Sequence, residues 1–195
     1  LHINLSLYMD GKNLFEGDIA PDSIAGSFMA GVLAHSRELT VFTNPLPNSY
    51  QRFGCDEAPR YVSWSRQNRS QLVRLPSAHG DLCRVELRGP DPAGNPYLVI
   101  GLILAAGLDG IARSLPLPEA VNRNLFHPSA AAGLESLPRT LREAITVAAQ
   151  SEFISRELPV ALQNKYFEYQ TQLCHDAEAA PDTEAWERAH SFLII

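Results

Sequence analysis

The chain has 195 residues, 45% hydrophobic and 19% charged, which is enough for one well-buried domain and excludes a disordered or fibrous polymer. Its formal net charge of −6 argues against general nucleic-acid binding, which leaves a basic footprint. Cys55, Cys83 and Cys174 are widely spaced, form no metal-type or redox pair, and fit a reducing compartment. The longest apolar run, Tyr97 to Leu108, falls well short of the ~20 residues that cross a bilayer. No charged-then-apolar leader opens the chain. A cytoplasmic protein with neither membrane nor nucleic-acid partner is expected. Leu1 is not methionine and residue 2 already lies within a strand pattern, which reads as a piece of a longer chain.

His2 to Leu7 alternates with period two, so His2, Asn4 and Ser6 share one face and Ile3, Leu5 and Leu7 the other. Met9-Asp10-Gly11-Lys12 predicts a turn. Pro21-Asp22-Ser23 predicts a helix start, with Ile24, Phe28 and Val32 continuing at four-residue spacing. From Thr43 to Pro59 prolines, asparagines and Gly54 predict a loop. Strands are expected near 61–65, 71–75 and 82–88. The last sets Arg84, Glu86 and Arg88 on one face and Cys83, Val85 and Leu87 on the other, a half-buried strand with a charged row. A turn-rich stretch to Pro96 precedes a buried helix over about 97–112. Thr140 and Glu143 have capping-box spacing before a helix to about Gln150. Pro159 opens another to about Cys174, Ala177 to Ala180 reads as a linker, and a last helix is capped near Asp182. Residues 1–115 thus form a sheet-bearing region and 116–195 a helical tail, without being independent domains.

Seven of the sixteen basic residues lie between Arg52 and Arg88, and all seven are arginine. Against Asp56, Glu57, Asp81 and Glu86 they leave that segment at +3. Two readings are open: ion pairs on exposed strands, or a pocket for a small anion, since the guanidinium fork donates two parallel hydrogen bonds to carboxylates and phosphates. Arg69 and Arg74 bracket a strand with Asn68 and Ser70 beside them, a common arrangement around phosphoryl groups. No P-loop or GxGxxG is present. His2 and Glu86 suit a divalent ion chemically, but two distant residues do not define a site. The loop from Asn48 to Pro59 joins donors, Arg52 and Glu57 on a segment able to close over a substrate, or simply a solvated turn. His35, His79, His127, His175 and His190 have no paired spacing and read as surface or packing residues.

Taken in order, His2-Ile3-Asn4-Leu5-Ser6-Leu7, Asn44-Pro45 with Asn48-Ser49-Tyr50-Gln51-Arg52, Glu57-Ala58-Pro59, Asn68-Arg69-Ser70 with Arg74-Leu75-Pro76, Glu86-Leu87-Arg88 and Asp91-Pro92 with Asn95-Pro96-Tyr97-Leu98 resemble the catalytic domain of glutamine synthetases. Gly107-Leu108-Asp109-Gly110 extends the resemblance, which is dense over about 1–125 and loose beyond. It implies an α+β fold whose antiparallel sheet forms one wall of an active-site funnel, with packed helices and a mostly helical carboxy-terminal half. It implies ligation of ammonia to the γ-carboxylate of glutamate through an acyl phosphate, with ATP as co-substrate and Mg2+ or Mn2+ bound.

On that resemblance His2 and Glu86 ligate a metal, and Asn4, Ser6, Arg69 and Arg74 bind ATP. Arg52, Arg88 and Glu57 bind the other substrates, with Glu57 and Arg69 as catalytic residues. Asn4 departs from the second histidine of many members, and Phe126 from the tyrosine adenylylated in some bacteria. The resemblance also places a small amino-terminal β-domain and further carboxylate ligands outside this chain. The 195 residues alone are therefore expected to bind ATP weakly and turn over nothing. A homo-oligomeric ring of six, single or stacked, is implied, with the segment from Trp186 to Ile195 as a docking tail. Two alternatives remain: a γ-glutamyl ligase using an amine or polyamine, and a non-catalytic structural or regulatory member.

Overall fold

A computed structural model describes residues 1–55 and 57–191. Four short strands form one sheet: β1 (Ile3–Leu5), β4 (Trp64–Arg66), β5 (Val73–Leu75) and β6 (Val85–Leu87), in the order β1-β6-β5-β4. A separate hairpin joins β2 (Tyr8–Met9) to β3 (Lys12–Asn13). Its two-residue turn places Asp10 at φ 51° and Gly11 at φ 75°, the left-handed pair that a tight hairpin needs. The mixed α+β class holds, with one refinement. β1–β6 and β6–β5 are antiparallel, but β4 runs parallel to β5. The chain leaves β4 through Gln67 at φ 69° and loops back, so that the amide of Val73 donates to the Ser63 carbonyl at 3.0 Å.

Helix α1 (Ile24–Thr43) starts where Ser23 accepts a hydrogen bond from the Gly26 amide at 3.0 Å. It is buried along nearly its whole length and packs against α2 (Pro96–Ala112) and α3 (Leu141–Ala149). Asn95 caps α2 by accepting from the amides of Tyr97 and Leu98, and Pro96 supplies the favoured first turn. The two helices cross at contact distance. A Cβ on Gly31 would lie 2.1 Å from the Ala106 carbonyl, and one on Gly110 would lie 2.2 Å from the Ser27 carbonyl. Only glycine permits that approach. The expected burial of α2 holds for one face alone: Val99, Leu102, Ile103 and Ala106 are buried, whereas Tyr97, Ile100, Leu104 and Leu108 are exposed. A continuous apolar run carries no periodicity, so the sequence could not distinguish the two faces.

Four further helices follow: α3 (Leu141–Ala149), α4 (Glu152–Glu157), α5 (Val160–Ala179) and α6 (Thr183–Ser191). Thr140 caps α3 as expected, accepting from the Glu143 amide at 3.1 Å, and the Glu143 carboxylate reaches back one residue further, to the Arg139 amide. α5 runs past Cys174 through Ala179, so most of the expected linker is helical; Ala and Glu favour helix, and no breaker intervenes before Pro181. Tyr166 ties α5 to α1 by donating to the Val41 carbonyl at 2.9 Å. Asp182 starts α6 by accepting from the Ala185 amide. The docking tail expected from Trp186 onward lies outside the described residues from Phe192. No helix among the described residues is long and apolar enough to cross a membrane.

Candidate functional site

Register builds the site. Asn4 lies opposite Glu86 across β1 and β6, and Arg74 lies opposite Glu86 across β5 and β6. Cross-strand partners share a face. His2, two residues before Asn4, therefore projects to the same side, and its Nδ1 stands 3.3 Å from Glu86 Oε1. Arg74 donates to Glu86 Oε2 at 2.6 Å, and Arg88 donates to Oε1. Arg88 next reaches Glu57 Oε2 at 3.3 Å, and Arg69 pairs with Glu57 Oε1 at 3.2 Å. The chain of contacts runs from a dry floor to a wet rim. Side-chain exposure is 1% at Arg88 and 6% at Glu86, but 50% at Glu57 and 62% at Arg69. The expected half-buried charged row is thus buried at its inner end. Both faces of β6 are covered, and only three-dimensional pairing reveals that.

The charges tune one another. Burial alone would raise the Glu86 pKa, but hydrogen bonds from Arg74 and Arg88 outweigh it and hold the carboxyl below its ordinary range. Burial and the nearby Arg88 charge pull His2 down, leaving its imidazole neutral near pH 7. The Arg69 hydrogen bond holds Glu57 ionised. Glu57 keeps this position at φ 66°, a left-handed conformation that costs a non-glycine residue about 1–3 kcal/mol. It is the exposed and strained partner of Arg88.

Arg52 enters from the loop. It donates to the Gly89 carbonyl, one residue beyond Arg88, and its guanidinium lies 5.4 Å over the Phe53 ring. Arg52, Arg69, Arg74 and Arg88 thus set four positive charges against three carboxylates, Glu57, Glu86 and, beside Arg52, Asp91. Among the described residues the Nε–H groups of Arg52 and Arg74 are buried without an acceptor. Each unmet buried donor costs about 1–3 kcal/mol, which a bound oxyanion could offset. Asn4 and Ser6 are engaged elsewhere. Asn4 Oδ1 accepts from Arg84 at 3.0 Å, and Ser6 donates to the Cys83 carbonyl at 2.8 Å. Cys83, which Ser6 contacts, lines an open cleft of about 300 Å3 with Phe15, Arg66, Leu75, Pro76 and His79.

A neutral imidazole and an ionised carboxylate 3.3 Å apart fit two donors of one divalent cation. Among the described residues no group of three or more His, Cys, Asp or Glu side chains could hold a metal.

Two features of the molecule escaped the sequence reading. The Asn44 side chain, 1% exposed, donates to the same Gly89 carbonyl at 3.0 Å. His35 takes the packing rather than the surface reading, but with charged partners: it is buried, with Nδ1 2.7 Å from Glu38 and Nε2 2.8 Å from Asp109. In sequence Asn44 belonged to a motif carrying the resemblance, without a role, and the signal at His35 was its place within an apolar helix.

Comparison with known proteins agrees with the geometry. The family model described as glutamine synthetase, catalytic domain, matches residues 1–189. A glutamine synthetase of Methanosarcina mazei is 45% identical over 166 residues, covering 81% of this chain and 37% of that protein. One from Methanococcus voltae is 38% identical over 195 residues, covering 96% and 43%. Among solved structures, the GmaS/ADP complex in conformation 1 superposes with a TM-score of 0.81 at 30% identity, covering 98% of this chain and 45% of that one. GmaS without ligand gives 0.80 at 31% identity, covering 98% and 44%. The chain spans less than half the length of each of these proteins.

Proposed function

The chain belongs to the glutamine synthetase family, and on that premise we propose that it is the carboxy-terminal part of the catalytic domain of a cytoplasmic enzyme joining glutamate and ammonia at the expense of ATP. One observation carries the reading: Arg69, Arg74, Arg88, Glu57, Glu86 and His2 form one network, Arg52 is held beside it on the Gly89 carbonyl, and among the described residues two of these guanidinium groups have a buried donor without an acceptor. A carboxylate is a poor electrophile, and bringing it to a polyphosphate sets anion against anion. Four guanidinium groups offset that repulsion.

Arg52 and Arg88 hold the carboxylates of glutamate, Arg88 exchanging its Glu57 contact for substrate. The γ-carboxylate oxygen attacks the terminal phosphorus of ATP, the bond to the bridging oxygen breaks, and ADP leaves. Arg69 and Arg74 stabilise the negative charge of the transferring phosphoryl group. Ammonia then adds to the carbonyl carbon of the acyl phosphate, the carbon–oxygen bond to phosphate breaks, and glutamine and inorganic phosphate result. Glu57, ionised at the rim, takes the proton that ammonium gives up. Asn4 and Ser6 flank the nucleotide, whose base fits the cleft beside Ser6. His2 and Glu86 would hold Mg2+ or Mn2+, which neutralises phosphate charge when bound. The amino-terminal β-domain and remaining metal ligands belong to other parts of the protein, and the full-length enzyme works as a homo-oligomer built on rings of six.

Product analysis of the full-length protein with glutamate, ATP and Mg2+ tests this. Glutamine formed from ammonium supports the proposal. A γ-glutamyl amide formed from putrescine but not from ammonium would assign the chain to an amine ligase of the family. No product and no ATP binding would leave a structural or regulatory member.

A further inference from the structure

Asn44 is the carboxy-terminal cap of α1, and its amide has one orientation available. The Thr43 hydroxyl donates to Asn44 Oδ1 at 2.7 Å, which leaves Nδ2 to donate to the Gly89 carbonyl at 3.0 Å. That carbonyl is also what Arg52 grips, and it belongs to the residue after Arg88. A second stitch runs alongside: the Asp91 amide donates to the Thr43 carbonyl at 3.0 Å, and Ser49, on the loop leading to Arg52, donates to the Asp91 carboxylate. Gly89 packs close to Leu72: a Cβ there would lie 2.9 Å from Leu72 Cδ1. Both arginines assigned to the acid substrate are thereby referenced to the buried end of one helix.

Resting on the function proposed above, we infer that Asn44 is a positioning residue that sets the spacing of Arg52 from Arg88, and with it the fit of a substrate carrying two carboxylates. It touches no substrate itself. Its amide fixes the carbonyl on which Arg52 is hung, so losing the donor lets Arg52 drift while leaving Arg69 and Arg74 in place. The consequence is selective: glutamate recognition weakens, and nucleotide recognition does not.

Steady-state kinetics of the full-length protein test this with Asn44→Ala, Asn44→Asp and Arg52→Ala. Asn44→Ala should raise the glutamate KM about tenfold, with the ATP KM and kcat within about twofold of wild type. Asn44→Asp is isosteric and guards against a folding artefact. Its ionised form opposes the Gly89 carbonyl, whereas its protonated form donates to it. Relative to wild type, its glutamate KM should fall back as pH is lowered, while that of Asn44→Ala stays high. Equal rises in both KM values, a loss confined to kcat, or an Asn44→Asp defect independent of pH would overturn the inference. Arg52→Ala separates the two layers. If it leaves the glutamate KM unchanged, the reading of the site itself fails; if it raises that KM while Asn44→Ala does not, only the role of Asn44 fails.

Discussion

Arg88 bridges the middle of one ion-pair chain and Arg69 ends it at the rim, and burial assigns them different consequences. Arg88 is 2% exposed and serves Glu86, Glu57 and the Arg69 carbonyl at once. Arg88→Ala strands the buried Glu86 with a single partner and should cost about 3–5 kcal/mol of stability, read by urea unfolding. Arg69 is exposed and, among the described residues, pairs with Glu57 alone, so Arg69→Ala should change stability by less than about 0.5 kcal/mol yet abolish glutamine formation in the full-length protein. An Arg69→Ala variant that unfolds like Arg88→Ala, or stays active, would contradict the assignment of Arg69 to the reacting phosphoryl group. The common face of Glu86 and Arg88 was legible because period two is local to a strand. The contact between Arg88 and Glu57 was not, since it spans 31 residues and depends on how the loop closes.

Among the elements, the crossing of α1, α2 and α4 contains a charged clamp unrelated to the proposed catalytic site. Both ring nitrogens of His35 meet carboxylates, so both carry protons. The ring also stacks on Phe153 at 3.9 Å, and Asp109 receives Arg113 and Arg156 as well. Burial alone would lower the His35 pKa, but hydrogen bonds to Glu38 and Asp109 outweigh it and raise it above the ordinary 6.5. The folded protein thus holds a proton that the unfolded chain releases. This contribution is complete below about pH 6.5 and disappears as pH rises through the raised folded value. Urea unfolding from pH 6 to 9 should show wild type losing its advantage over His35→Gln as pH increases; a constant difference would count against the clamp. Helix starts at Ser23, Asn95, Thr140 and Asp182 were readable because capping is local chemistry. The clamp was hidden because Asp109 lies 74 residues from His35, inside an apolar run that masks which side faces inward.

For the whole molecule, length relative to its relatives dominates. The chain spans less than half of each, and it leaves Tyr97, Ile100, Leu104 and Leu108 exposed along one side of α2. The 195 residues expressed alone should therefore form no glutamine under conditions where the full-length protein does; metal-dependent turnover by the short chain would refute the shared-site account. Fold class was readable because several separated motifs had to be satisfied together. The parallel pairing of β4 with β5 was not, because strands of three residues carry too little pattern to fix direction.

The central claim is that this arginine-lined site activates a carboxylate by phosphorylating it. It is tested most directly by supplying the full-length protein with glutamate labelled with oxygen-18 in its γ-carboxylate, together with ATP and ammonium, and weighing the inorganic phosphate released. Transfer of one labelled oxygen to phosphate for each glutamine formed is the predicted result. Phosphate released without label would mean that no acyl phosphate forms, and would contradict the account.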